Sequence, residues 1–214
     1  MATMQREQGI KEIERTRIIA IVRGVKEQHI VGVADALFEG GVTVMEVTLN
    51  TPGALDMIAG LQSHCGERMY IGAGTVLDLD DAKRAVAAGA SFIVTPNLDE
   101  EVIRWCKAEE IPIFPGAMTP TEIVKAWKAG ATAVKVFPSA SLGLPYIKEL
   151  MGPLDHIPMM AVGGVTEGNI KQFLDIGCYG LGIGGSLINL KEIEAGNFAW
   201  VKEKAASLLG AARG

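Results

Sequence analysis

Eight times along the chain a short β-branched apolar run gives way, through a Gly or Pro break, to a longer amphipathic stretch of helical spacing. A strand must lay alternate residues on opposite faces, whereas a helix buries positions three and four apart, so the two periods mark the two element types. The spacing predicts strands over 17–23, 43–49, 69–73, 91–95, 111–114, 131–137, 158–162 and 180–183, with helices over 27–39, 53–63, 80–88, 100–109, 120–129, 144–151, 166–176 and 197–209. Thr119-Pro120-Thr121-Glu122 carries a helix start, and Gly40-Gly41, Ala88-Gly89 and Ala129-Gly130 carry stops. Strict strand–helix alternation requires parallel pairing, and eight units in 214 residues point to a closed (β/α)8 TIM barrel. The rival, an open doubly wound sheet, lacks a G-x-G-x-x-G before its first helix, and the glycine pairs fall instead after the seventh and eighth strands. An extra N-terminal helix is expected before the first strand, and 1–214 is expected to form one domain.

Charge and composition narrow the function. Lys and Arg number 20 against 25 Asp and Glu, a net charge of -5, so no basic footprint for nucleic acid is present. The first 17 residues are polar and mixed in charge rather than a signal peptide, and no apolar run is long enough to cross a bilayer. A cytoplasmic protein with no membrane or nucleic-acid partner is the expectation. Cys65, Cys106 and Cys178 are read as buried small hydrophobes at helix positions. His29, His64 and His156 are scattered, so neither a metal nor another cofactor is expected.

The sharpest signal is a charge inside an apolar strand. In Ala131-Thr-Ala-Val-Lys135-Val-Phe137-Pro138, Val134 and Val136 share the face that should meet helices, which turns Lys135 into the barrel. Burial lowers an amine's pKa, and a neutral amine in a pocket attacks ketones; the alternative is an interior lysine that merely pairs with a carboxylate. In Thr43-Val-Met-Glu46-Val-Thr48-Leu49, the apolar face is Met45, Val47 and Leu49, so Glu46 and Thr48 also point inward. Amine and carboxyl in one interior make an acid–base pair, or a structural ion pair. Arg23 closes the first strand and Thr75 closes Ile71-Gly-Ala-Gly-Thr75, whose small residues are expected to let a ligand approach the backbone. Gly163-Gly164 and Gly184-Gly185-Ser186 follow the last two strands, where barrels bind phosphate on bare N–H groups and a helix N-terminus.

These residues resemble the KDPG/KHG aldolases, which act on 2-keto-3-deoxy-6-phosphogluconate and 4-hydroxy-2-oxoglutarate. The likeness runs from Ala20-Ile-Val-Arg-Gly24 through Glu46-Val-Thr48, Gly72-Ala-Gly-Thr-Val76, Val94-Thr-Pro-Asn97, Pro115-Gly-Ala-Met-Thr-Pro-Thr-Glu122 and Lys135-Val-Phe-Pro138 to both glycine pairs. It implies a metal-independent class I aldolase, a homotrimer, that releases pyruvate and an aldehyde from a small keto acid. In the family's terms Lys135 forms the Schiff base and Glu46 moves protons through a water; Arg23 and Thr75 are the substrate-carboxylate and positioning groups, Gly163 is the substrate-binding glycine and Ser186 the phosphate-side serine, with Gly164 and Gly185 in the same glycine turns. Two departures stand out. Asn50 replaces an arginine of many members, and Val162 a threonine. Leu49-Asn50-Thr51-Pro52, Ala161-Val-Gly-Gly-Val-Thr166 and Phe137-Pro138-Ser139 are similar instead to the 2-keto-3-deoxy-6-phosphogalactonate aldolases, the alternative substrate class. A noncovalent sugar-phosphate isomerase or decarboxylase barrel is the other alternative.

Overall fold

The computed structural model describes residues 3–213; Met1, Ala2 and Gly214 lie outside them, so the two ends of the expected 1–214 domain are not covered. Among the described residues nine parallel segments form one sheet: β1 Ile18–Val22, β2 Val44–Thr48, β3 Tyr70–Gly74, β4 Ile93–Val94, β5 Ile113–Phe114, β6 Gly116–Ala117, β7 Val134–Val136, β8 Met159–Val162 and β9 Gly180–Ile183. β1 pairs with β9, which closes the sheet on that side. The ninth segment arises because the fifth strand, expected to end at Phe114, resumes beyond Pro115: β5 pairs with β4, and β6 pairs with β7. Proline has no N–H to give a ladder, yet its carbonyl still accepts from Lys135 N–H at 2.9 Å, so the barrel closes across the break. The architecture is the expected (β/α)8 barrel.

Around it run α1 Arg6–Thr16, α2 Glu27–Glu39, α3 Ala54–Cys65, α4 Leu79–Ala87, α5 Glu100–Ala108, α6 Pro120–Ala129, α7 Ser139–Leu142, α8 Leu144–Met151, α9 Ile170–Asp175, α10 Leu190–Glu194 and α11 Phe198–Arg213. α6 begins on the expected signal: Thr119 and Glu122 form a reciprocal capping box, and Gly130 ends the helix at φ +116°. α9 starts later than the spacing suggested. Residues 163–169 form turns stitched by Asn169, whose side chain accepts from Thr166 N–H and donates to Gly164 C=O. α7 and α10 were not anticipated.

Side-chain alternation sorts the strands into two cores. Outward residues such as Met45, Val47, Val134 and Val136 pack beneath the helices, while Ile19, Val44, Phe92, Phe114, Ala133 and Met160 fill the interior. Tyr70 stacks on Phe92 with centroids 5.0 Å apart, and Phe92 meets Phe114 edge-on at 5.8 Å. The N-terminal helix α1 stoppers the N-terminal end of this interior. Ile13 and Met4 join the inner core, and Gly9 lies so close to the Tyr70 ring that a Cβ there would overlap it. Glu12 secures α1 by accepting from Thr43 Oγ1 at 2.6 Å and from Arg15. No helix among the described residues is long and apolar enough to cross a membrane.

Candidate active site

Lys135 and Glu46 do meet inside the barrel. The register places Lys135 between Gly116 and Met160, and Glu46 between Ile21 and Gly72. Only 6% of Lys135 and 2% of Glu46 is exposed. Both line one small interior cavity walled by Ile19, Ile21, Val94, Phe114, Met160, Val162 and Gly182. Its volume of about 10 Å³ is near the threshold for one water, and its walls offer few polar partners apart from this pair. Among the described residues no ion pair within 4.0 Å joins the two side chains; the Lys135 ammonium position instead lies 5.2 Å from the Phe137 ring centroid.

The electrostatics follow from that burial. Desolvation pulls the Lys135 pKa below the ordinary lysine value, and the positive field of Arg23 adds to this, against the opposing pull of Glu46. Desolvation pushes the Glu46 pKa above the usual carboxylate value, against the stabilising charges of Lys135 and Arg23. Both groups are driven toward their neutral forms. A neutral amine can add to a carbonyl and a carboxyl with a raised pKa can exchange protons near neutrality, so the pair suits nucleophilic and acid–base work.

At the C-terminal rim, Arg23 is exposed and its guanidinium donates to Thr75 Oγ1 at 3.4 Å. Thr75 has φ +56°, a conformation that a β-branched residue adopts only when its surroundings enforce it, and such strain gathers at functional sites. Asn50 is exposed and shares with Thr75, Leu77 and Arg84 a depression of about 570 Å³ on the rim. Lys135 does not line that larger depression. Volume alone would misplace the chemistry, because the ionisable pair belongs to the narrower interior space.

Two sequence expectations are corrected here. The glycines of Gly72-Ala-Gly74 make room for protein rather than ligand: a Cβ at position 72 would overlap the Phe92 ring, and one at position 74 the Glu46 carboxylate. The position of Cys178 is also corrected, since it lies in the turn before β9 rather than on a helix. All three cysteines are buried and free, and burial pushes Cys65 up to about 11 and Cys106 and Cys178 up to about 12, which leaves poor nucleophiles.

The expected anion turns adjoin each other at the same end. Gly163 and Gly164 have φ of +92° and +72°, values that favour glycine. Gly185 is exposed, and Ser186 donates its hydroxyl hydrogen to Val165 C=O at 2.6 Å. Ser186 therefore ties the two turns together and offers an anion no free hydroxyl hydrogen in this arrangement. The helix N-terminus expected at this site is not adjacent, because α9 begins only at Ile170.

Sequence reasoning missed Ser139. Its fully buried hydroxyl donates to Val136 C=O at 2.7 Å and accepts from Val162 N–H at 2.9 Å, which clamps the lysine strand to the strand leading into Gly163. The signal was a polar residue directly after the Phe137-Pro138 break that ends a buried strand. No group of three or more His, Cys, Asp or Glu placed to hold a metal occurs among the described residues.

Residues 10–204 match the family model described as KDPG and KHG aldolase. The 2-dehydro-3-deoxy-6-phosphogalactonate aldolase of Escherichia coli K12 is 39% identical over 79% of this chain and 83% of its own. A 2-dehydro-3-deoxy-phosphogluconate aldolase of Treponema pallidum is 35% identical over 88% of this chain and 90% of its own. The solved KDPG aldolase of Legionella pneumophila, with pyruvate captured as a covalent carbinolamine, superposes with a TM-score of 0.87 at 27% identity, over 94% of this chain and 98% of that one.

Proposed function

The chain belongs to the KDPG and KHG aldolase family, and from that membership we propose that Lys135 and Glu46 carry out a Schiff-base retro-aldol cleavage of a 2-keto-3-deoxy sugar acid. The observation that carries this reading is the convergence of one buried amine and one buried carboxyl, each pushed toward neutrality, on a single interior cavity.

The neutral Lys135 Nζ adds to the C2 ketone to give a carbinolamine. The protonated Glu46 carboxyl gives its proton, through a water, to the departing C2 hydroxyl, so that water leaves, an iminium forms and Glu46 is left as the carboxylate that acts as the next base. Electrons from the C3–C4 bond flow to the iminium nitrogen as the C4 hydroxyl proton passes, through a water, to Glu46. The aldehyde leaves and an enamine remains. Glu46 returns that proton to C3, and water hydrolyses the iminium to free pyruvate, regenerating the neutral amine and the protonated Glu46 carboxyl. Arg23 and Thr75 hold the carboxylate at the rim, and the Gly163-Gly164 and Gly185-Ser186 turns receive the distal phosphate through backbone N–H groups. Incubation with pyruvate and borohydride followed by peptide mapping tests the reading: a reduced adduct on Lys135 is expected, and folded protein without adduct overturns it in favour of noncovalent sugar-phosphate chemistry.

The substrate we assign is 2-keto-3-deoxy-6-phosphogluconate or 4-hydroxy-2-oxoglutarate, releasing glyceraldehyde 3-phosphate or glyoxylate. Asn50 favours a second reading, the galactonate epimer, because a neutral amide on the rim replaces a cation found in many gluconate-type members. The ratio of kcat/KM for the two C4 epimers decides between them. We further assign one domain, a cytoplasmic location supported by three buried free thiols, a homotrimer by resemblance to the family, and metal-independent turnover that chelators leave unchanged.

A further inference from the structure

Thr48 points into the barrel two residues after Glu46, and Thr51 lies in the turn beyond it; both are buried, at 0% and 4% exposure, and the mechanism uses neither. Their hydroxyls are 3.1 Å apart. Thr51 Oγ1 accepts from Gly24 N–H at 2.9 Å, and Thr48 Oγ1 donates to Val22 C=O at 3.4 Å. The proton count closes if Thr51 donates to Thr48: each hydroxyl then gives one hydrogen and accepts one. The pair thus grips the backbone groups on either side of Arg23, on a loop where Arg23 and Gly24 are themselves exposed and Gly24 is left-handed at φ +72°.

We infer that Thr48 and Thr51 form a clasp that positions the Arg23 guanidinium over the site, so that they are positioning residues for binding the substrate's anionic group. Two observations besides the hydrogen bonds support the link. Arg23 reaches Thr75, the other group assigned to the carboxylate, at 3.4 Å, so its placement decides how that end of the substrate is held. The turn from Thr48 to Thr51, closed by Thr51 N–H to Thr48 C=O at 2.9 Å, also presents Asn50 on the rim. With Asn50 uncharged, Arg23 is the cation the clasp has to aim. The inference rests on the aldolase reading for the meaning of the anion, but the clasp itself does not.

Thr51→Val removes the hydroxyl at nearly constant shape, with Thr51→Ser as the rescue. Thr51→Val is expected to raise KM about tenfold with kcat unchanged, the pattern of lost ground-state binding. Thr51→Ser should stay near wild type. Added to Arg23→Gln, Thr51→Val should cost nothing more, because a residue acting through Arg23 has no effect once Arg23 is gone. Thr48→Val gives the same readings if Thr51→Val does not fold. Independently of turnover, 15N relaxation of the Arg23 Nε should show an ordered side chain in the wild type and a mobile one in Thr51→Val and Thr48→Val. Wild-type KM and unchanged Arg23 order in these variants overturn the clasp, as do fully additive losses in the double variant. If the wild type gives no pyruvate adduct on Lys135, the aldolase reading fails and the Arg23 relaxation still decides the clasp.

Discussion

Replacing Gly74 by Ala tests whether the position of the Glu46 carboxyl governs turnover. A Cβ at 74 would lie 2.6 Å from Glu46 Cδ and 3.2 Å from Cγ, where ordinary carbon contacts begin near ~3.5 Å. Gly74 is a strand residue without positive φ, so the backbone accepts alanine and the conflict falls on the Glu46 side chain. The carboxyl carbon must retreat by roughly 1 Å in a packed interior, and a misplacement of that size costs about a hundredfold in rate. Crowding should destabilise the fold by about 1–3 kcal/mol, offset slightly by the lower backbone entropy of unfolded alanine. The assay is steady-state cleavage beside borohydride trapping with pyruvate. We expect kcat to fall about a hundredfold while the Lys135 adduct still forms on long incubation, since the three atoms nearest the added methyl all belong to Glu46. A folded Gly74→Ala protein with wild-type kcat would refute the assignment of proton transfer to Glu46.

Lys135→Arg keeps a cation but cannot form an imine, so trapping and turnover should both vanish; residual turnover at the wild-type rate would sink the covalent mechanism. Lys135→Met should be more stable than wild type near pH 7, measured by urea unfolding, because a buried amine with a lowered pKa must shed its proton to fold. The sign follows from linkage: the folded amine's pKa lies below its unfolded value, so the unfolded chain binds more protons between the two and wild-type stability rises with pH across that window. The advantage of Lys135→Met should therefore shrink as pH approaches the ordinary lysine value of 10.5, and a gap that widens would contradict it. Gly9→Ala pushes a methyl into the Tyr70 ring and should lower Tm by about 2–10 °C with kcat/KM unchanged, because that contact lies at the closed end of the barrel.

What could be read from the chain, and what could not, divides by range. The inward turn of Lys135 and Glu46 was legible because a strand's period of two is local and both sit between apolar neighbours that declare the other face. The capping box at Thr119 was legible for the same reason. Pro115 looked like the end of a strand; that the chain resumes at Gly116 and carries the ladder to β7 depends on a partner about twenty residues away in sequence. The Thr48–Thr51 clasp, the hydroxyl of Ser186 on Val165 and the Ser139 clamp are likewise contacts between loops of different units, which no local pattern encodes. The purpose of Gly72 and Gly74 was misread because a glycine announces proximity without saying to what.

The helix that stoppers the N-terminal end of the barrel leaves the interior with one doorway. Everything must use it in turn. A substrate held at Lys135 keeps its pyruvate part on the lysine as an imine until hydrolysis, so the aldehyde departs first and the tethered fragment last. Condensation runs the same queue backwards, with pyruvate loading before the aldehyde. The tether sets the order, and the stopper, at the opposite end from every group that touches the substrate, leaves both pieces the same way out.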